Sequence, residues 1–161
     1  FTKGDDGGCF ASALGAARAF NGVIEHPRGS HAWKHFGVAR PPNEGGWIDA
    51  GDSWGWTCCV YQGHYGHKAL KPTWLYVVSP KKPKEVKWGK PEGVFMSVAG
   101  TSCATVEDRR KAEANGWKYS ARLPTHLRNA TPPQFRDLLV ELVEAAGMAG
   151  AAPLVEQGRK P

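Results

Sequence analysis

Glu25 closes a short apolar run, Gly22-Val23-Ile24, and is followed at once by His26 and Pro27. Such a run reads as a buried strand, and proline ends further pairing. Ligands of open α/β sheets bind in the crevice outside the carboxyl ends of the strands. A carboxylate there is therefore either a solvated strand end or a group placed for acid–base chemistry. A second concentration of reactive side chains is the loop Gln62-Gly63-His64-Tyr65-Gly66-His67-Lys68-Ala69-Leu70-Lys71-Pro72, suited to contact with an anion or a ring. Zinc is a natural question in a chain with six histidines, where His31 and His35 stand at i and i+4 and His64 and His67 share a glycine-rich loop. No HExxH pattern occurs, and Cys9, Cys58, Cys59 and Cys103 have no ligand spacing, so no metal is expected. Nothing pairs Cys9 or Cys103 with a histidine as nucleophile and base. Cys58 and Cys59, adjacent in a strand, point to opposite faces and read as structural. There is no GxGxxG and no Walker loop, so a nucleotide site made wholly within this chain is not expected.

The elements that must hold these residues follow from periodicity. Phe10, Ala13, Leu14, Ala17 and Phe20 recur at helical spacing, and Asn21-Gly22 is a stop signal. Helix, tight turn and buried strand make half of a βαβ unit, which predicts a parallel sheet. Ser30 caps a short helix over 31–36 that buries Trp33 and Phe36. Residues 38–53, with Pro41 and Pro42, read as a loop. Residues 54–61 and 73–78 read as strands, antiparallel across the loop between them. Lys81, Lys82, Lys84, Lys87 and Lys90 surround Trp88, making either a solvated loop or a phosphate-contacting surface. A short strand is expected at 94–98, and a helix from Thr105 to Asn115 with Asp108 as its capping-box partner and Gly116 as its stop. Thr131-Pro132-Pro133-Gln134 opens the last helix, whose stripe of Phe135, Leu138, Leu139, Leu142, Val143 and Ala146 packs on the sheet. From Gly147 a frayed tail is expected.

At 161 residues the chain suits one domain, and seven Trp, six Phe and four Tyr exclude a disordered one. The net charge of +6 favours an anionic partner such as nucleic acid, although solubility alone would account for it. No apolar run is long enough to cross a bilayer, and the cysteines form no disulfide-dense pattern. A cytoplasmic protein with no membrane partner is expected.

Three stretches together resemble the cytosine-C5 DNA methyltransferases, particularly the divergent proteins of phage and prophage genomes. Ile24-Glu25-His26-Pro27 resembles the family's Ile-Glu-Asn-Pro strand end. Gln62, Tyr65, Gly66, Lys71 and Thr73 match a Gln-x-x-Tyr/Phe-Gly…Lys-x-Thr segment. Leu127-Arg128-Asn129-Ala130-Thr131-Pro132 is similar to an Arg-x-Leu-Thr-Pro segment before a helix. The three occur in family order over about residues 22–142. The departures are His26 in place of Asn, no Gly-Asn-Ala-Val element near the C-terminus, and no glycine-rich turn or Pro-Cys motif before Glu25. The resemblance places those two upstream of Phe1, so the chain is expected to be a C-terminal portion, inactive alone, and Cys9 is not the nucleophile.

The resemblance implies an α/β fold, a partial Rossmann-like methyltransferase fold with a late antiparallel strand pair. Residues 1–78 would be the second half of the catalytic domain. Residues 79–123 would be a short basic insertion serving target recognition, 124–146 a helix returning to the catalytic domain, and 147–161 a flexible tail. It also implies DNA as partner, S-adenosylmethionine as cofactor with no binding residue assignable here, and a restriction–modification setting. In such a reaction a thiolate adds to C6 of a flipped cytosine and C5 takes the methyl group. Glu25 would be the catalytic acid at N3 and the amino group, where it stabilises the ring adduct. His26, Gln62, Tyr65, His67, Lys71, Thr73 and Arg128 would bind the flipped nucleotide. Two other readings remain: a catalytically inactive, basic nucleic-acid-binding module, and a small metal-dependent hydrolase using the histidines.

Overall fold

The computed structural model describes residues 6–92, 110, 114 and 125–150. Helix α1 (Cys9–Phe20) ends where Asn21 takes a left-handed φ of 53° and its N–H reaches the carbonyl of Ala17. Glycine follows for a steric reason, since a Cβ at Gly22 would stand 2.9 Å from the Ala17 backbone. Strand β1 (Val23–Pro27) leads through a turn to α2 (His31–His35), whose Ser30 hydroxyl accepts from the Ala32 N–H as a capping serine should. Then come β2 (Ile48–Asp49), β3 (Gly55–Tyr61), a 3-10 turn over Gln62–Tyr65, and β4 (Pro72–Val78). Two helices, α3 (Thr125–Asn129) and α4 (Pro133–Gly150), complete the described elements.

The strands form one sheet in the order β1-β4-β3-β2, antiparallel at every pairing. This corrects the parallel sheet expected around β1. The loop after Tyr61 sends β4 back beside β3, and β4 then enters between β3 and β1, pairing with both. Because β4 opposes each of them, β1 and β3 run in the same direction, linked by a crossover through α2. The parallel relation is present, but a later strand separates its members. Among the described residues, nothing pairs with the outer edge of β1.

Both faces of the sheet are covered, which is why β3 and β4 read as near-continuous apolar runs rather than alternating ones. On one face Phe10, Leu14 and Ala17 of α1 and Trp33 of α2 bury Ile24, Cys59, Trp74, Tyr76 and Val78. On the other, Phe135, Leu138, Leu142 and Ala146 of α4 bury Cys58, Val60, Leu75 and Val77. The architecture is therefore mixed α/β in three layers. Arg18, Asp52 and Tyr76 close one edge of the first face: Arg18 Nη2 and the Tyr76 hydroxyl both lie 2.7 Å from Asp52 Oδ2.

Three details depart from expectation. Strand β2 lies within the stretch read as a loop, where Ile48 and Asp49 pair with Thr57 and Trp56. Helix α3 adds a turn just before α4. Helix α4 continues to Gly150, past the point at which a frayed tail was expected. In the lysine-rich stretch Lys84 pairs with Glu141 of α4 and Lys82 with Glu85, both at the surface. Trp88 there packs edge-on against Trp47, and its indole donates to Glu85. The strand expected at 94–98, the helix from Thr105 to Asn115 apart from Arg110 and Ala114, with Asp108 and Gly116, Cys103, and residues 151–161 lie outside the described residues.

Candidate functional site

Strand alternation sorts the chemistry at the end of β1. Glu25 stands opposite Leu75, which stands opposite Cys58, so its side chain lies on the α4 face. His26 stands opposite Trp74 and lies on the other face. There its ring meets Phe10 edge-on at 5.5 Å and Trp33 at 6.0 Å. Its Nδ1 is buried with no hydrogen-bond partner. Expected beside Glu25 in the site, His26 lies on the opposite face, partly buried against Phe10 and Trp33, because neighbours along a strand do not share a face.

The other motif residues converge on Glu25. Gln62, fully buried just past β3, donates from Nε2 to Glu25 Oε1 at 2.8 Å and to Thr73 Oγ1 at 3.0 Å. The Gln62 Oε1 is buried without a partner. Thr73 in turn donates to the Lys71 carbonyl at 3.2 Å, which also accepts from the Gln62 N–H. Lys71 has a φ of 41°, a left-handed conformation that is costly for a lysine and that turns the chain into β4. Its ammonium donates to the Ala130 carbonyl at 2.8 Å. Burial pulls the Lys71 ammonium below the usual lysine range, and the nearby Glu25 charge opposes that pull.

Two expected ligand contacts do other work. The His67 Nδ1 accepts from the Ala69 N–H at 3.0 Å, which leaves Nε2 to donate to the Arg128 carbonyl at 3.3 Å. His67 thus clamps the Arg128 segment to the loop. Tyr65 packs on Phe135 at 5.6 Å, accepts from the Lys87 N–H, and lies beneath the Lys87 ammonium. Burial pushes the Tyr65 hydroxyl up. Its ring packs against α4.

Sequence reasoning missed Arg28 and Tyr61. The Arg28 N–H donates to the Pro72 carbonyl, and its guanidinium donates to the Tyr61 hydroxyl at 3.2 Å. Both line a cavity of about 490 Å³ with Asn43, Glu44, Gly89 and Lys90. The signal was available: Arg28 directly follows the strand end at which ligands approach.

Neither buried thiol can serve as the nucleophile. Cys58 shares the Glu25 face but is wholly buried, and burial pushes both it and Cys59 up, away from the thiolate. Among the described residues no three His, Cys, Asp or Glu side chains group to hold a metal. Nor do the described residues fit S-adenosylmethionine, since β1 runs into Glu25-His26-Pro27 rather than a glycine-rich turn. No described helix is long and apolar enough to cross a membrane. Comparisons with protein-family models, curated proteins and solved structures found no match.

Proposed function

We propose that this chain supplies the base-binding part of a DNA cytosine-C5 methyltransferase, with Glu25 as the acid that stabilises the ring adduct. What carries the reading is the 2.8 Å bond from Gln62 Nε2 to Glu25 Oε1. It joins two of the three sequence stretches on which the resemblance rests. The third is tied to the same loop through His67 to Arg128 and Lys71 to Ala130. A half-buried carboxylate steadied on one oxygen by a buried amide keeps its other oxygen for a ring N–H or an exocyclic amino group. Binding of that kind requires the base to leave the helix stack. Arg28, which lines a cavity with Tyr61 and Lys90, would contact the backbone phosphates.

The sheet is compatible with the finer, Rossmann-like reading. Doubly wound sheets commonly carry an antiparallel strand near one edge, as β4 stands here, and the outer edge of β1 is where a parallel part would continue. The nucleophile and the methyl-donor site then belong to residues outside this site.

The test is transfer of labelled methyl groups to DNA by the full-length protein, including any coding sequence upstream of Phe1. Glu25→Gln is expected to lower the rate by about two to four orders of magnitude, the usual worth of general acid catalysis. DNA affinity should change far less, because phosphate contacts dominate it. Wild-type transfer by the variant would remove Glu25 from this role. No transfer by the wild type, with salt-dependent DNA binding retained, would leave the binding-module reading, to which the charge of +6 lends support.

A further inference from the structure

On the sheet face opposite Glu25, a cleft of about 360 Å³ opens between α2, the segment at residues 38–40 and β4. That volume is within the range of small-ligand sites. Its floor is Trp33 and Trp74, with ring centroids 5.7 Å apart, and its rim carries His31, Lys34 and Arg40. No acidic residue lines it. Trp33 is fixed in place, since its indole N–H donates to the buried Thr57 hydroxyl at 3.1 Å. His31 and Lys34 are exposed and one turn apart on α2, so their charges lie on one side of the opening. Arg40, also exposed, rests its guanidinium 5.4 Å from the Trp74 ring centre.

We propose that this cleft binds a nucleotide unit. The base takes the Trp74 face that Arg40 covers, and the phosphate is held by Arg40, Lys34 and His31. Arg40 is the exposed partner and Trp74 is 2 % exposed, so Arg40 must swing out to uncover the ring, and base–aromatic stacking offsets the contact that is lost. The displaced guanidinium keeps a planar fork of donors that matches phosphate oxygens. A free mononucleotide and one unit of a single strand share this chemistry. The site uses none of the residues around Glu25.

The chain is titrated separately with cytidine 5′-monophosphate, an eight-residue oligothymidylate and inorganic phosphate. Calorimetry gives affinities, and the indole N–H resonances of Trp33 and Trp74 locate the ligand. At least one nucleotide ligand should move both resonances and bind more tightly than inorganic phosphate. Arg40→Glu should weaken it about tenfold or more, and Arg40→Lys by less, because the charge stays and the fork is lost. Lys34→Glu, at an exposed position on α2, gives an independent loss if Arg40→Glu perturbs folding. Binding of the mononucleotide alone identifies a free nucleotide as the ligand, and binding of the oligomer alone identifies a strand. Unmoved indoles, phosphate binding as tight as nucleotide binding, or wild-type affinity in a folded charge-reversal variant would overturn the proposal. Glu25→Gln should bind as wild type, so failure of the methyltransferase reading leaves this result standing.

Discussion

Removing the Gln62 amide while keeping its bulk tests whether the site is built as described. Gln62→Met preserves length and flexibility and deletes both hydrogen bonds. The bond to Glu25 is charge-assisted, and such bonds contribute about 1.5–3 kcal/mol. Glu25 is half-buried and can recover water, so the lower end of that range applies. The bond to the Thr73 hydroxyl is a neutral one, worth about 1 kcal/mol. Against these stands the buried Gln62 Oε1, which has no partner. Deleting an unsatisfied group of this kind returns about 1–3 kcal/mol. The net effect of Gln62→Met is therefore small, roughly −0.5 to 1.5 kcal/mol by the same bookkeeping.

The sharper quantity is the coupling between the two side chains. A double-mutant cycle of Gln62→Met with Glu25→Ala should give an interaction energy of about 1 kcal/mol or more, well above the ~0.3–0.5 kcal/mol scatter of independent sites. Stabilities come from urea unfolding followed by tryptophan fluorescence, with unchanged m values as the check that all four proteins unfold alike. Additive single-mutant effects would refute the bond as a stabilising contact. A cost above about 4 kcal/mol for Gln62→Met would refute the assumption that the amide can be replaced without a cavity.

Two further predictions concern the frame. Burial pushes the Asp52 carboxyl up, but hydrogen bonds from Arg18, the Trp54 N–H and Tyr76 outweigh it and hold the group below its ordinary 3.8. Its contribution is therefore complete above that value and lost as pH falls through the lower folded value, so the stability gap between wild type and Asp52→Asn should close in that acid range when melting is followed against pH. Gly55→Ala would place a Cβ 2.0 Å from the Val77 carbonyl oxygen, so chemical denaturation should show a loss at or beyond the upper end of the roughly 1–3 kcal/mol typical of overpacking.

Local signals were legible in the sequence where they acted through backbone geometry or periodicity. The Asn21-Gly22 stop, the Ser30 cap and the apolar stripe of α4 all formed as their chemistry required. Strand pairing was not legible in the same way. The segments of β1 and β4 showed that both are strands, but nothing local says that a strand fifty residues later in the chain will enter beside β1. That choice depends on two covered faces closing together, with Ile24, Trp74 and Tyr76 meeting α1 and α2 while Leu75 and Val77 meet α4. Glu25 and His26 illustrate the same limit at the site. Their residue types suggested a pair, and the two-residue period of a strand separated them.

The same closure gives His67 and Lys71, read as ligand contacts, bonds within the protein that tie the loop to the residue 128–130 segment. A histidine with both ring nitrogens engaged by backbone groups has no polar edge left for a substrate. What it does is fix the Arg128 carbonyl, while Lys71 fixes the Ala130 carbonyl two residues on. Two clamps so close together hold the residue 128–130 backbone at the loop that also carries Gln62. The Gln62 amide is in turn held between Glu25 and Thr73, and the Lys71 carbonyl receives both the Thr73 hydroxyl and the Gln62 N–H. The links from His67, Lys71 and Gln62 join different segments, so loosening His67 or Lys71 should disturb Glu25 through Gln62. How many backbone groups the loop itself must satisfy decides which of its polar side chains keep unused hydrogen-bonding capacity, and residue types alone do not show that.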